Sequence, residues 1–297
     1  MDKKKKKNRH LRLIVQAIWT AVTNGYLYGF VTGKIYTGKS KDFCVPGLNC
    51  YSCPGALGSC PIGSLQAGLS SPASRPAFYC FGILIFFGSL FGRFVCGWLC
   101  PFGLVQDLLY KIPIFKKKKN LPGHGVLRWI KYIVLALFVI LLPLMALNAT
   151  GIGKPWFCEY ICPSGTLFGG IPLVSLNESL RDIIGIRFLW KVALLLIVVV
   201  TSIGYYRPFC KYVCPLGAFY SIFNPVALYR YKLDKDKCTN CGACEKVCRM
   251  GIKPDVTPNS AECIRCGECL NACQTSALTK YNILQELTKE GKNGDGK

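Results

Sequence analysis

Nineteen cysteines and only two histidines, His10 and His124, share a chain of 297 residues, a ratio that points to thiolate-held metal and leaves little for imidazole sites. Eight of the cysteines fall in two copies of one run. CTNCGACEKVC starts at Cys238 and CIRCGECLNAC at Cys263, so the spacing C-x2-C-x2-C-x3-C occurs twice. Short glycine-containing loops of this kind let three thiolates wrap one cubane while the distant fourth cysteine crosses to the other. The crossing assigns Cys238, Cys241, Cys244 and Cys273 to a first 4Fe–4S cluster, and Cys263, Cys266, Cys269 and Cys248 to a second. Paired CxxC motifs also suit tetrahedral zinc, but two copies of a four-cysteine run favour clusters. Arg249 and Gln274 follow the fourth cysteines, where proline is usual; this bears on the local turn and not on the ligands.

A second pattern recurs upstream. The tetrapeptide Cys-Pro-x-Gly begins at Cys60, Cys100, Cys162 and Cys214. In three copies another cysteine lies four residues earlier, namely Cys96, Cys158 and Cys210; before Cys60 the nearest is Cys53. Cysteines at i and i+4 share a helical face, and two such pairs supply the four thiolates of one cubane. Cys96, Cys100, Cys210 and Cys214 make one set. Cys53, Cys60, Cys158 and Cys162 make another, which admits either a cluster or disulfides. Cys50 and Cys53 also form a CxxC that could act as a redox dithiol. The proline removes a donor and forces the preceding cysteine toward an extended conformation, so that the helix is expected to end at the ligand. Cysteine is also a small buried hydrophobe. Cys80 reads that way, and neither Cys44 nor Cys50 has a place in a cluster set.

The elements that must position these residues are apolar. Hydrophobic residues make up 51% of the chain and gather near residues 13 to 33, 78 to 98, 129 to 149 and 187 to 206, each close to the roughly 20 residues needed to cross a bilayer. Seven Lys and Arg precede the first stretch and six lie from Lys111 to Arg128, against four from Lys34 to Arg75 and two from Lys154 to Arg181. That bias places both termini in the cytoplasm. The Cys96 set then lies on the inner side and the Cys60 set on the outer side. The basic N-terminus reads as a solvated or membrane-facing tail before an uncleaved span.

The expected fold is an α-helical membrane protein of four transmembrane helices in two tandem hairpins, with a small α+β bacterial-ferredoxin domain. Its parts are a basic cytoplasmic tail over 1–12, a membrane domain over 13–228, a ferredoxin domain over 229–280 and a disordered tail over 281–297. The formal charge of +22 treats every thiol as neutral, and thiolates on clusters remove much of the excess, so no nucleic acid is expected as a partner. Two histidines and no CxxCH argue against haem. Neither a GxGxxG nor a Walker motif stands where a strand meets a helix.

With both cysteine patterns in hand, the chain resembles the NapH-type membrane polyferredoxins. The resemblance rests on four spans, on CGWLCP and CKYVCP, and on the following double-cluster ferredoxin run, and it covers most of residues 78 to 280. The motifs CVPGLNCYSCPGALGSCP and CEYICP lie outside that pattern. The resemblance implies an electron-transfer component of an oxidoreductase system and not a self-contained catalyst. The function expected is a relay, in a multi-pass protein of the cell membrane, between cytoplasmic ferredoxin-type clusters and a membrane or outer-face redox partner. One or two further 4Fe–4S clusters are expected in the membrane domain, with redox proteins or quinone and membrane lipid as partners. The alternatives are a thiol–disulfide protein using the outer CxxC, and a copper(I) carrier using CxxxC pairs as soft ligands. The relay has one physical difficulty. Inner and outer sets separated by about 30 Å of hydrocarbon are too far apart for one tunnelling step, so a recessed cluster, a quinone or a partner's cofactor must bridge them.

Overall fold

The longest apolar runs form helices whose sides stay uncovered. A computed structural model describes residues 2–70, 75–145, 153–182 and 184–282. In it, His124–Met145 and Ile186–Gly204 are helices of 22 and 19 residues with mean hydropathy 2.2. Only 22% and 11% of these windows is buried, and Ile133, Ile140, Leu196, Ile197 and Val200 face outward. A core helix of a soluble protein would cover such side chains, whereas lipid accepts them.

These two are the helices, among the described residues, with the length and hydropathy to cross a membrane. The other two expected spans are broken. Arg75–Phe91 is a 17-residue helix; Gly92, at φ +52°, turns the chain before a short helix over Phe94–Trp98. The first run is helical over Asp2–Thr23 and resumes over Leu27–Thr32. The loop at residues 49–57 fills the gap. Tyr26 N–H donates to the Gly55 carbonyl at 3.1 Å, and Leu57 N–H donates to the Thr23 carbonyl at 2.9 Å, so part of the helix end finds partners without water. Residues 146–149 of the third run and residues 283–297 of the C-terminal tail lie outside the described residues.

The Cys-Pro-x-Gly motifs do more than stop helices. Cys60, Cys100, Cys162 and Cys214 are all extended, and each is followed by proline at the first position of a new helix: Pro61–Leu69, Pro101–Leu109, Pro163–Gly165 and Pro215–Phe223. Proline suits that position because its missing N–H would have no helical acceptor. The preceding short helices, Phe94–Trp98, Trp156–Tyr160 and Pro208–Tyr212, stop two residues before the second cysteine. Each CxxxC pair therefore straddles a helix break and does not share one continuous helical face.

The ferredoxin run folds between two strands, β1 (Tyr229–Leu233) and β2 (Leu278–Asn282), which pair antiparallel with Tyr231 opposite Lys280. Helices Ala243–Val247 and Glu268–Ala272 begin after Gly242 and Gly267, at φ +66° and +78°, a backbone region where glycine has no Cβ penalty. One hydrophobic core runs from Cys44, Cys60 and Cys162 through Cys96, Cys100 and Cys214 to Cys248 and Ile264. The ferredoxin run is thus packed into the helical body.

Buried charges close that joint. Arg93 pairs with Glu262 at 2.5 Å and Lys131 pairs with the same carboxylate. Arg265 donates to the carbonyls of Phe91 at 3.0 Å and Asn224 at 2.5 Å, and Asn224 Nδ2 donates to the Cys263 carbonyl at 2.9 Å. Arg12, from the basic N-terminal run, is buried against Asp107 at 2.8 Å and is not a solvated tail residue. Removing one partner of such a pair strands a buried charge, at a cost of about 3–5 kcal/mol.

Candidate iron–sulfur centres

The cysteines of the ferredoxin run line two separate concavities. One concavity is lined by Cys238, Cys241, Cys244 and Cys273, and another by Cys248, Cys263, Cys266 and Cys269. The first opens to solvent at Cys241, whereas Cys248, Cys263 and Cys269 are buried. Among the described residues no three Cys, His, Asp or Glu side chains converge as around a single metal ion. A cubane spreads its thiolates over four corners, and two concavities lined by four cysteines each suit that shape.

Cys96, Cys100, Cys210 and Cys214 come together from the two halves of the chain, each 4–5% exposed. Burial, then mutual repulsion with Cys100 and Cys96, pushes the Cys210 thiol up. A bound metal takes the place of the thiol proton at a ligand of this kind. Two arginines face the set reciprocally. Arg93 Nη2 donates to the Cys210 carbonyl at 2.9 Å and Arg207 Nη1 donates to the Cys96 carbonyl at 2.5 Å. Arg207 is anchored by Asp107 at 2.5 Å. Arg93, Arg207 and Lys131 are buried beside the set, with the two carboxylates of Asp107 and Glu262 as their ion-pair partners. An anionic cluster supplies the counter-charge that this excess of cations lacks.

The outer set assembles with one change of member. A Cβ placed on Gly165 would lie 3.7 Å from both Cys50 Sγ and Cys162 Sγ, and one on Gly63 would lie 3.7 Å from Cys158 Sγ. Burial, then repulsion that includes Cys50, pushes Cys60 and Cys162 up to about 12. Cys50, and not the expected Cys53, thus joins Cys60, Cys158 and Cys162. Cys53 is buried one turn away, its N–H donating to the Cys50 carbonyl at 3.1 Å. Lys191 donates to the Cys158 carbonyl at 3.1 Å, and the buried Lys41 Nζ, beside Cys53 and Cys50, has no hydrogen-bond partner. Cations around four thiols suit an anionic cluster; a disulfide carries no charge to balance them.

The outer and inner sets share a construction. Gln66 and Gln106 each lie six residues after the cysteine of a Cys-Pro-x-Gly. Gln66 Nε2 donates to Cys158 Sγ at 3.5 Å and Gln106 Nε2 donates to Cys210 Sγ at 3.0 Å, in both cases the first cysteine of the second pair. The sequence carried signals for these residues in the repeat C-P-x-G-x-x-Q and in an arginine three positions before Cys96 and Cys210. Both are legible only once the sets are known to face each other.

The segments that carry the sets also touch. A Cβ on Gly97 would collide with the Ile264 carbonyl oxygen, and Trp98 Nε1 donates to the Arg265 carbonyl at 3.1 Å, so the Cys96 motif lies on the loop between Cys263 and Cys266. On the other side a Cβ on Gly47 would meet the Leu99 carbonyl at 2.9 Å and Cys100 Cα at 3.2 Å. The fully buried Tyr220 donates to the Pro46 carbonyl at 2.9 Å. The 44–60 loop, which carries Cys50 and Cys60, folds inward onto the Cys100 motif.

This combination defines a ferredoxin-type iron–sulfur protein built for electron transfer, its cysteine sets embedded in a helical body. Residues 75–122, 134–175 and 186–233 match one family described as 4Fe-4S binding domain, and residues 231–252 match a second with the same description. An uncharacterized protein of Methanocaldococcus jannaschii is 33% identical over 215 residues, 70% of this chain and 72% of its own. The methylamine utilization ferredoxin-type protein MauN of Methylorubrum extorquens is 29% identical over 80% of this chain and 74% of its own. The ferredoxin-type protein NapH of Haemophilus influenzae is 25% identical over 64% and 63%. No solved structure matches. The chain belongs to the NapH-type polyferredoxin family.

Proposed function

We propose that this protein is a membrane-bound electron relay with four 4Fe–4S sites in series, from the solvent-facing Cys238 set to the recessed Cys50 set. The observation that supports the reading is the contact between the segments that carry successive sets: Gly97 on Ile264, then Gly47 on Cys100. When bound, each cluster takes up and releases one electron. The chain's residues do the rest. The crossed cysteines Cys248 and Cys273 tie the two ferredoxin sites together. Arg93 and Arg207 offset negative charge at the inner site, and apolar packing keeps water out, both of which set potentials.

His124–Met145 and Ile186–Gly204 span the bilayer, with Arg75–Phe91 and the broken first helix completing a four-segment membrane domain. Both termini are cytoplasmic. A cytoplasmic redox protein meets the exposed Cys241, and the far end serves a membrane or outer-face partner, a redox protein or quinone. Cys50 is engaged with the Cys162 set, which leaves the CxxC without its dithiol partner.

Anaerobic purification followed by iron and acid-labile sulfide counts and EPR tests this. About 16 irons per chain, four cubanes of four irons each, supports the relay. About eight would confine clusters to the ferredoxin run and overturn it. Serine at Cys96 and Cys210 is expected to abolish onward transfer while the ferredoxin signals persist.

A further inference from the structure

Two cysteines outside every cluster set, Cys44 and Cys80, meet in the core. Their sulfurs are 3.1 Å apart, and the residues are 1% and 2% exposed. They come from different segments. Cys44 lies in the inward-folded loop, where it forms an isolated bridge with Ser59, and Cys80 lies on the Arg75–Phe91 helix, which packs against Pro61–Leu69. Ser59 Oγ is 3.5 Å from Cys44 Sγ. The Cys80 thiol, and after it the hydroxyls of Ser59 and Ser64, hydrogen-bond to Cys44 and hold its thiol below the usual range. A thiol so disposed is poised as a nucleophile toward its neighbour. Ser59 is bonded to Cys60, a member of the outer cluster set, and Cys80 is within electrostatic reach of Cys60.

We propose that Cys44 and Cys80 are a redox-active dithiol that exchanges two electrons with the outer iron–sulfur site. Oxidation joins the two sulfurs and releases two protons and two electrons. Reduction breaks the sulfur–sulfur bond, takes up two protons from water, and draws two electrons delivered singly by the one-electron donor at Cys60. The pair gives a one-electron chain a place to hold two electrons, as a quinone or other two-electron partner requires. This inference rests on the reading of Cys50, Cys60, Cys158 and Cys162 as a cluster site.

The test uses the full-length protein purified anaerobically and poised either with ferricyanide or with reduced methyl viologen. Each sample is denatured in alkylating reagent and its cysteine peptides are weighed, with iron and sulfide counted on the same sample. Under ferricyanide a peptide linked through Cys44 and Cys80 is expected; under viologen both cysteines are expected to be alkylated. Coulometric reduction should consume two fewer electrons in Cys44→Ser than in wild type at unchanged iron content. Both thiols alkylated at both poises, or a link that never opens, overturns the proposal. A link that opens equally fast in Cys60→Ser overturns its coupling to the cluster. A deficit of four irons in the wild-type count would instead indict the cluster reading, a separable result.

Discussion

Arg93 donates to the carbonyl oxygen of Cys210, a residue 117 positions away. Arg207 returns the contact to the carbonyl of Cys96. Each arginine stands three residues before the first cysteine of its own motif and serves the other motif, so the two halves of the inner site are clasped reciprocally.

Cys50→Ser is expected to lower the iron content by about four atoms per chain, the content of one cubane, while Cys53→Ser leaves it unchanged. Iron and sulfide counts on the two variants decide between these neighbours. Loss in Cys53→Ser with Cys50→Ser unchanged would restore the reading from sequence spacing.

Gln106→Leu removes an N–H donor from Cys210 Sγ. A hydrogen bond to sulfur stabilises the more negative, reduced cluster, so its loss lowers the potential of the inner site. One bond of about 0.5–1.5 kcal/mol corresponds to a few tens of millivolts for one electron. EPR-monitored titration should show that shift with iron content intact, and Gln66→Leu should show its counterpart at the outer site.

Asp107 makes a prediction about pH. Burial pushes its carboxyl up, but Arg207 and Arg12 outweigh burial and hold it below the ordinary aspartate value of 3.8. A carboxylate with a depressed native value contributes its full stabilisation above 3.8, and loses it as pH falls through the native value. Asp107→Asn should destabilise the protein by about 3–5 kcal/mol at neutral pH, because two buried guanidiniums lose their partner. In thermal unfolding at a series of pH values, the gap between wild type and Asp107→Asn should close only below pH 3.8. A constant gap would show that the ion pair is not its source.

At Gly97, alanine would force its Cβ against the Ile264 carbonyl oxygen. Overpacking of this kind costs about 1–3 kcal/mol, and the backbone can relieve it by moving the ferredoxin loop off the inner site. Rapid-freeze EPR should find electron transfer from the ferredoxin sites to the inner site slowed at least tenfold in Gly97→Ala, with all clusters present. Wild-type rates would mean that the Gly97 contact is not on the path.

Much of the site was legible in residue spacing. The C-x2-C-x2-C-x3-C spacing groups the cysteines, Cys248 and Cys273 included, as they line the two concavities, because loop length limits which thiols can reach one place. The Cys96 and Cys210 pairs could be matched by the repeat they share. The helix geometry behind that match was different, since proline opens a new helix at each motif and splits the pair across the break. The first expected span is interrupted for a related reason. Hydropathy counts side chains, but Asn24 and Gly25 allow the chain to break there, and hydrogen bonds from residues 49–57 stabilise the break.

The sequence by itself determined the spacing that groups the cysteines and placed long apolar stretches within His124–Met145 and Ile186–Gly204, since both follow from local composition and spacing. Only the tertiary structure decided that Cys50 and not Cys53 faces Cys162, that Arg93 and Arg207 exchange partners, and that the 44–60 loop folds inward beside Cys100. Side-chain direction in an aperiodic loop has no local rule. It is settled by long-range packing and by the need to pair buried charge and backbone polar groups, and those partners lie tens to hundreds of residues away.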